Sequence, residues 1–150
     1  MSAFLGEFPC TVDERGRVKL PEKLLKKMPA EDNGQFVISR GFEKCLSLYP
    51  KSEWEKVTRK VMKLNSFTKK GRVFIRTFLK GATDITMDSS DRIIIPKQLL
   101  VYADIKKDIT IAPSKHGYEI WNDKLYDSEV MSDEEFSDIA EDVLGNMDDE

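Results

Sequence analysis

Apolar residues along this chain change their period several times, and each change marks an element. Phe8 to Val12 has the apolar start of a strand with Pro9 at its edge, and Arg17 to Leu20 alternates basic and apolar residues with a period of two. Between them, Asp13-Glu14-Arg15-Gly16 is turn chemistry: an Asp accepts from backbone donors two or three residues on, and Gly supplies a positive φ. Pro21 suits the first position of a short helix with Leu24, Leu25 and Met28 as its apolar stripe, closed by Pro29. Gln35 to Ser39 and Leu46 to Tyr49 predict two further strands.

The second half predicts the same order. Strands fit Ile85 to Met87, Ile93 to Ile95, Ile109 to Ala112 and Glu119 to Trp121, and a helix fits Pro96 to Tyr102. The run Ile93-Ile94-Ile95 predicts a strand covered on both faces. A loop, Pro113 to Gly117, holds the single histidine, His116. Between the halves, Trp54, Val57, Val61 and Leu64 line one face of a helix over Lys51 to Leu64, with Lys56, Arg59, Lys60 and Lys63 off that face. A second helix is predicted over Val73 to Lys80, with Phe74, Ile75, Phe78 and Leu79 inward. Near the C-terminus, Ser132-Asp133-Glu134-Glu135 resembles a helix start, and Phe136, Ile139, Ala140 and Val143 form a thin stripe. Charge density there favours mobility.

The shared order is a duplication. Thr11, Asp13, Arg17, Pro21, Leu24 and Leu25 return 75 residues later as Thr86, Asp88, Arg92, Pro96, Leu99 and Leu100, with Val18 and Leu20 answered by Ile93 and Ile95. A weaker echo links Leu48-Tyr49 and Trp54 to Ile120-Trp121 and Tyr126. This period exceeds that of solenoid units, so the repeat is a duplicated module, and its mixed strands and helices read as α+β in two similar halves. Its 150 residues suffice for one compact core or two small packed halves.

Charge sharpens the picture. The net value of -3 hides ten carboxylates and no Lys or Arg between Glu129 and Glu150. Residues 1–128 therefore hold all 24 basic residues against 17 acidic ones, a balance of +7. Nine of the basic residues fall between Lys56 and Lys80 with no acid among them. A basic body suggests a polyanion partner, and a tethered acidic tail would either compete for the same loops or serve solubility. Cys10 and Cys45 are too few for a disulfide framework or zinc ribbon and read as reduced thiols. No apolar run has the length of a membrane span.

Catalytic chemistry finds little support. The chain has no phosphate-binding Gly-rich loop with Lys, no nucleophile elbow and no paired-His metal motif, so neither cofactor, metal nor small-molecule substrate is expected. Asp13 and Asp88, each four residues before an Arg, suit turn caps better than an acid–base pair. In each Asp-x-x-x-Arg element the Asp would set the turn, with Gly16 closing the first one. The Arg would then start the outgoing strand, either paired with the Asp inside the fold or presenting donors to phosphate or guanine. Arg15, Arg17 and Lys19 make the first copy the better polyanion reader; the second has Arg92 and Lys97, with Asp91 opposing them.

At these residues the chain resembles the MraZ family, transcriptional regulators made of two tandem SpoVT-AbrB-like domains. The resemblance is carried by Asp13-Glu14-Arg15-Gly16-Arg17 with Val18 to Pro21, by Gly41 to Pro50 with Trp54, by Gly81-Ala82, by Asp88 to Arg92 with Ile95-Pro96, and by Tyr118 to Trp121. It covers residues 4 to 127 and leaves the acidic tail outside. It implies swapped-hairpin β-barrel halves with short helices at residues 7–54 and 82–125, related by a pseudo-twofold axis within the chain and joined by a basic helical connector at 55–81; the tail at 129–150 reads as largely flexible from its charge density, not from the resemblance. It further implies a ring-like homo-oligomer that binds short direct repeats in double-stranded promoter DNA and represses the division and cell-wall gene cluster. The setting it implies is bacterial, cytoplasmic and nucleoid-associated, without membrane partners. The family's DNA-contacting Arg falls on Arg17, with Arg15 in the same loop and Arg92 matching by position; Asp91 stands where the family pattern often has Gly. The rival reading is a non-catalytic, antitoxin-like oligomeric scaffold whose tail binds a partner protein.

Overall fold

The computed structural model describes residues 3–145. Strand β1 (Phe8–Thr11) turns into β2 (Arg17–Lys19), followed by α1 (Glu22–Leu25), a 3₁₀ turn at Ala30–Asp32, β3 (Gln35–Arg40) and β4 (Leu46–Pro50). Helices α2 (Lys51–Val61) and α3 (Lys69–Leu79) complete the first repeat. The second contains β5 (Thr83–Thr86), β6 (Arg92–Ile94), α4 (Lys97–Tyr102), β7 (Asp108–Ser114), β8 (Gly117–Asn122), α5 (Asp123–Glu129) and α6 (Asp133–Leu144).

Strands pair across the repeats. One antiparallel sheet has the order β1-β7-β8-β4-β3-β5. Exchanging each strand for its counterpart in the other repeat reverses that order, which is the pseudo-twofold relation in structural form. Phe8 lies opposite Ile111, Phe36 opposite Ile85 and, at the centre, Leu48 opposite Tyr118. The remaining strands, β2 and β6, form a separate two-stranded ribbon with Val18 opposite Ile93, Arg17 opposite Ile94 and Lys19 opposite Arg92.

The larger of two core clusters joins the ribbon to the sheet, and the smaller gathers Cys45, Ala112 and Trp121 under α5. Val18 and Ile93, Leu20 and Ile95, and Leu24 and Leu99 are equivalent pairs, all buried against Ile38, Leu46, Leu48, Ile111 and Ile120. Each such side chain contributes about 1.5–3 kcal/mol of burial. Tyr118 closes one end of the core: its hydroxyl donates to the Leu5 carbonyl at 2.9 Å and its ring meets Phe4 and Phe8 edge-on.

Several elements differ from their sequence expectation for identifiable reasons. Ile94 is 59 % exposed between the buried Ile93 and Ile95, because a two-stranded ribbon has one face on the core and one on solvent. Helix α3 starts at Lys69 rather than Val73, since the Thr68 hydroxyl accepts from the Gly71 amide at 3.1 Å and caps it. No residue of α3 is buried; Phe78 stacks on Trp54, but Val73, Phe74 and Leu79 are exposed. Helix α2 stops at Val61 and leaves Leu64 outside it. The loop carrying His116 shrinks to Lys115-His116 because β7 and β8 extend to Ser114 and Gly117. Helix α5, absent from the sequence expectation, begins where the Asn122 side chain accepts from the Lys124 amide.

In the tail, α6 forms behind a capping box in which Ser132 Oγ accepts from the Glu135 amide and donates to its carboxylate. None of its residues is buried. The last part of the acidic segment, residues 146–150, lies outside the described residues.

Candidate nucleic-acid interface

Both Asp-x-x-x-Arg elements fold into one clasp. Asp13 Oδ1 accepts from the amides of Arg15 at 2.9 Å and Arg17 at 2.8 Å, while Oδ2 accepts from Arg17 Nε at 2.8 Å. Asp88 does the same with the amides of Ser90 and Arg92 and with Arg92 Nε, at 2.8, 2.9 and 2.9 Å. Backbone bonds close both turns: the Asp amide donates to the Arg carbonyl, and the residue before the Arg donates back to the Asp carbonyl.

That last residue needs a left-handed backbone. Gly16 has φ +81° and Asp91 φ +61°, so the turn survives the exchange of Gly for Asp. Their carbonyls also bind across the pseudo-twofold: Ile95 N donates to Gly16 O and Leu20 N to Asp91 O, both at 2.8 Å. Each turn is thereby fastened to the strand exit of the other repeat. Asp91→Gly is expected to raise stability by up to about 1 kcal/mol, because Gly tolerates φ > 0 at less steric cost. A lower melting temperature in the variant would contradict this.

Period-two geometry sends Val18 and Ile93 inward and Arg17, Lys19, Arg92 and Ile94 outward on the ribbon. The outer face therefore carries three cations and one isoleucine, with Arg15 at the turn beside them. Arg17 and Arg92 are equivalent positions, as are Lys19 and Ile94. In both arginines the Nε edge is taken by the Asp, and among the described residues the Nη groups have no hydrogen-bond partner. The ion pair and an unengaged donor fork thus coexist: the carboxylate holds one edge of a side chain that stays 26 % exposed in Arg17 and 35 % exposed in Arg92.

The clasp carboxyls sit below the usual carboxylate range. For Asp13 the largest cause is the Arg17 amide, and for Asp88 the Arg92 amide, with the guanidinium bond adding to each. A lowered folded-state pKa means that the clasp's contribution is present above the ordinary carboxylate range. It is lost as pH falls through the lowered value. Accordingly, the amide signals of Arg15, Arg17, Ser90 and Arg92 in an NMR titration are expected to hold until pH drops below the range of exposed carboxylates. Signals that move with ordinary carboxylate pKa values would rule out the clasp in solution.

A second cationic surface gathers on α2. Lys56, Arg59, Lys60 and Lys63 line a cleft with Lys115 and His116 of the β7–β8 turn, around the buried Glu53. Glu53 Oε2 lies 3.6 Å from Lys56 Nζ and 3.9 Å from His116 Nδ1 and has no hydrogen-bond partner. The charge run was legible in sequence; its meeting with a turn some 50 residues away was not. Arg40 was also unassigned: it donates to the carbonyls of Thr77 and Lys80 and lies over the Tyr102 ring, closing the C-terminal end of α3.

Elsewhere, Glu43, Cys45 and Glu119 bring a thiol and two carboxylates within 4.8 Å of one another. Burial, helped by Glu119 and Glu43, pushes the Cys45 thiol up to about 12, and burial also raises Glu119. Both cysteines are free thiols, and among the described residues no helix is long and apolar enough to cross a membrane.

Comparison with known proteins agrees with the duplicated architecture. The model of a family described as "MraZ protein, putative antitoxin-like" matches twice, at residues 3–77 and 78–146. The second match extends past residue 127 and takes in α6, so the acidic helix lies within the family pattern rather than outside it. The chain is 41 % identical to the transcriptional regulator MraZ of Cytophaga hutchinsonii over 145 residues, 96 % of each chain. It is 39 % identical to the protein of that name from Flavobacterium psychrophilum over 152 aligned residues, covering 100 % of this chain and 97 % of that one. For the same-named protein of Christiangramia forsetii the identity is 37 % over 150 residues. With two family matches in tandem and relatives aligned end to end, the chain belongs to the MraZ family.

Proposed function

We propose that this protein is a non-enzymatic, sequence-specific DNA-binding transcriptional regulator of the bacterial nucleoid. It acts as a ring-like homo-oligomer that represses its own promoter, the one serving the division and cell-wall gene cluster, at short direct repeats. The observation that supports this reading is the outer face of the β2–β6 ribbon, where Lys19 lies opposite Arg92, Arg17 stands on the same face, and the Nη groups of both arginines are unengaged among the described residues. A two-stranded ribbon fits the major groove, and a free fork suits guanine O6 and N7. Arg15 and the cations of the α2 cleft are then suited to phosphates, which fix register without reading sequence. The names of the relatives support the regulatory half of the proposal.

Binding to a duplex carrying the repeats of its own upstream region tests this. Affinity is expected to fall by about 10³-fold or more between roughly 50 and 200 mM salt if six or more phosphates are neutralised. A scaffold that only meets proteins predicts no duplex binding at either salt concentration, and that result would reverse the assignment.

A further inference from the structure

The two repeats end in equivalent places with opposite chemistry. Helix α3 follows α2, and α6 follows α5; α2 packs on β3 and β4, whereas α5 packs on β7 and β8, in the other half of the sheet. Helix α3 carries Lys69, Lys70, Arg72 and Arg76 and no carboxylate. Helix α6 carries six carboxylates and no cation. Neither helix has a buried residue.

Both also leave apolar surface uncovered. In α6, Phe136, Ile139 and Val143 recur along one face and are 64, 42 and 59 % exposed. At the elbow between α2 and α3, Leu64, Asn65, Thr68, Lys70, Gly71 and Phe74 line an open groove whose exposed surface is mostly apolar, and Phe67 nearby is 92 % exposed. The elbow is built rather than loose. Arg72 Nη1 donates to the Ser66 carbonyl at 2.9 Å, and the Phe67 amide donates to Asn65 Oδ1 at 2.9 Å.

We infer that α6 of one copy of this chain docks in the α2–α3 elbow of the next copy, apolar stripe in the groove and carboxylates against the flanking lysines. This rests on the homo-oligomer proposed above and names the surfaces that close it. Charge selects the occupant: Lys70 lines the groove with Lys69 beside it in the first turn of α3, and α6 is the acidic amphipathic helix that every copy brings. Dipoles select the direction. Lys69 and Lys70 occupy the first turn of α3 and Glu141 the last turn of α6, each at the end its own helix disfavours. Antiparallel docking sets these charges against each other. It also brings Asp133 and Glu134 to the Arg76 end. Because the two surfaces differ and follow helices that pack on opposite halves of the sheet, the contact is head-to-tail, the kind that propagates around a ring.

The test is a pair of charge-reversed full-length chains, one with Glu134→Lys, Asp138→Lys and Glu141→Lys, the other with Lys69→Glu and Lys70→Glu. Light scattering should give the wild type as larger than a dimer and each variant alone as a several-fold smaller species with unchanged circular dichroism. Mixing the two should restore a large assembly, since each variant's α6 now complements the other's elbow, and so should combining all five changes in one chain. Variants that keep the wild-type mass would overturn the α6–elbow contact while leaving the oligomer in place. Folded variants that fail to co-assemble would also overturn it. A wild type that is monomeric at micromolar concentration would remove both the oligomer and this contact.

Discussion

Arg17→Ala is expected to abolish sequence-specific DNA binding and leave the chain folded. The side chain points away from the core while its neighbour Val18 points in, so truncation opens no cavity. Asp13 keeps its two backbone donors, Arg15 N and Arg17 N, and the turn persists. What disappears is the unengaged fork. A bidentate guanine contact is worth about 1–3 kcal/mol, roughly 5- to 150-fold in affinity per subunit. In the proposed oligomer on tandem repeats, several subunits would multiply that factor. Anisotropy titrations on specific and random duplexes check it, and wild-type affinity for the specific one would exclude Arg17 as a reader. Arg92→Ala should cost less, because its turn carries Ser90 and Asp91 where the turn of Arg17 carries Arg15 and Gly16. Equal losses would mean that the two copies read DNA alike despite different flanks.

Replacing Ile93 by Ala should produce the largest loss of stability. Ile93 is fully buried at the centre of the ribbon, paired with Val18, and joins the ribbon to the sheet. Truncating such a residue costs about 2–5 kcal/mol once the cavity is included, a large share of the roughly 5–15 kcal/mol that holds a domain together. Ile94→Ala is the control from the adjacent position. Exposed to solvent, it should change stability by less than about 0.5 kcal/mol, yet it removes an apolar contact suited to a thymine methyl group. Chemical denaturation and duplex binding on both variants separate the roles. Similar stabilities for the two would mean that the ribbon is not anchored as described.

The clasp was legible because it is written twice: Asp13 and Arg17 recur as Asp88 and Arg92 at one spacing, and turn chemistry is local. Strand positions were legible for the same reason, since period-two patterns are local too. Strand partners were not. Nothing in Phe8 to Thr11 says that the mate of β1 lies at Asp108–Ser114 rather than in its own repeat. The three isoleucines at 93 to 95 read as doubly covered because sequence records apolarity and not the number of strands beside them. The apolar residues of α3 were expected inward; Phe78 finds Trp54, but Phe74 and Leu79 stay exposed within one chain. That Lys60 and Lys115 share a cleft depends on folding that no spacing rule reaches.

The exchanged strands also bear on how the chain acquires its shape. Phe8 must wait for Ile111, and Arg17 for Ile94, so the defining pairings span most of the polypeptide. Such a high contact order slows folding, because loop closure is entropically costly before distant contacts return anything. During synthesis the first repeat emerges with β1 and β2 lacking their mates. It therefore exposes strand edges that a second nascent copy could satisfy as well as its own second half. Separated from residues 78–146, the first repeat would supply those mates only by pairing with another first repeat. Duplication thus turned an encounter between two molecules into a closure within one.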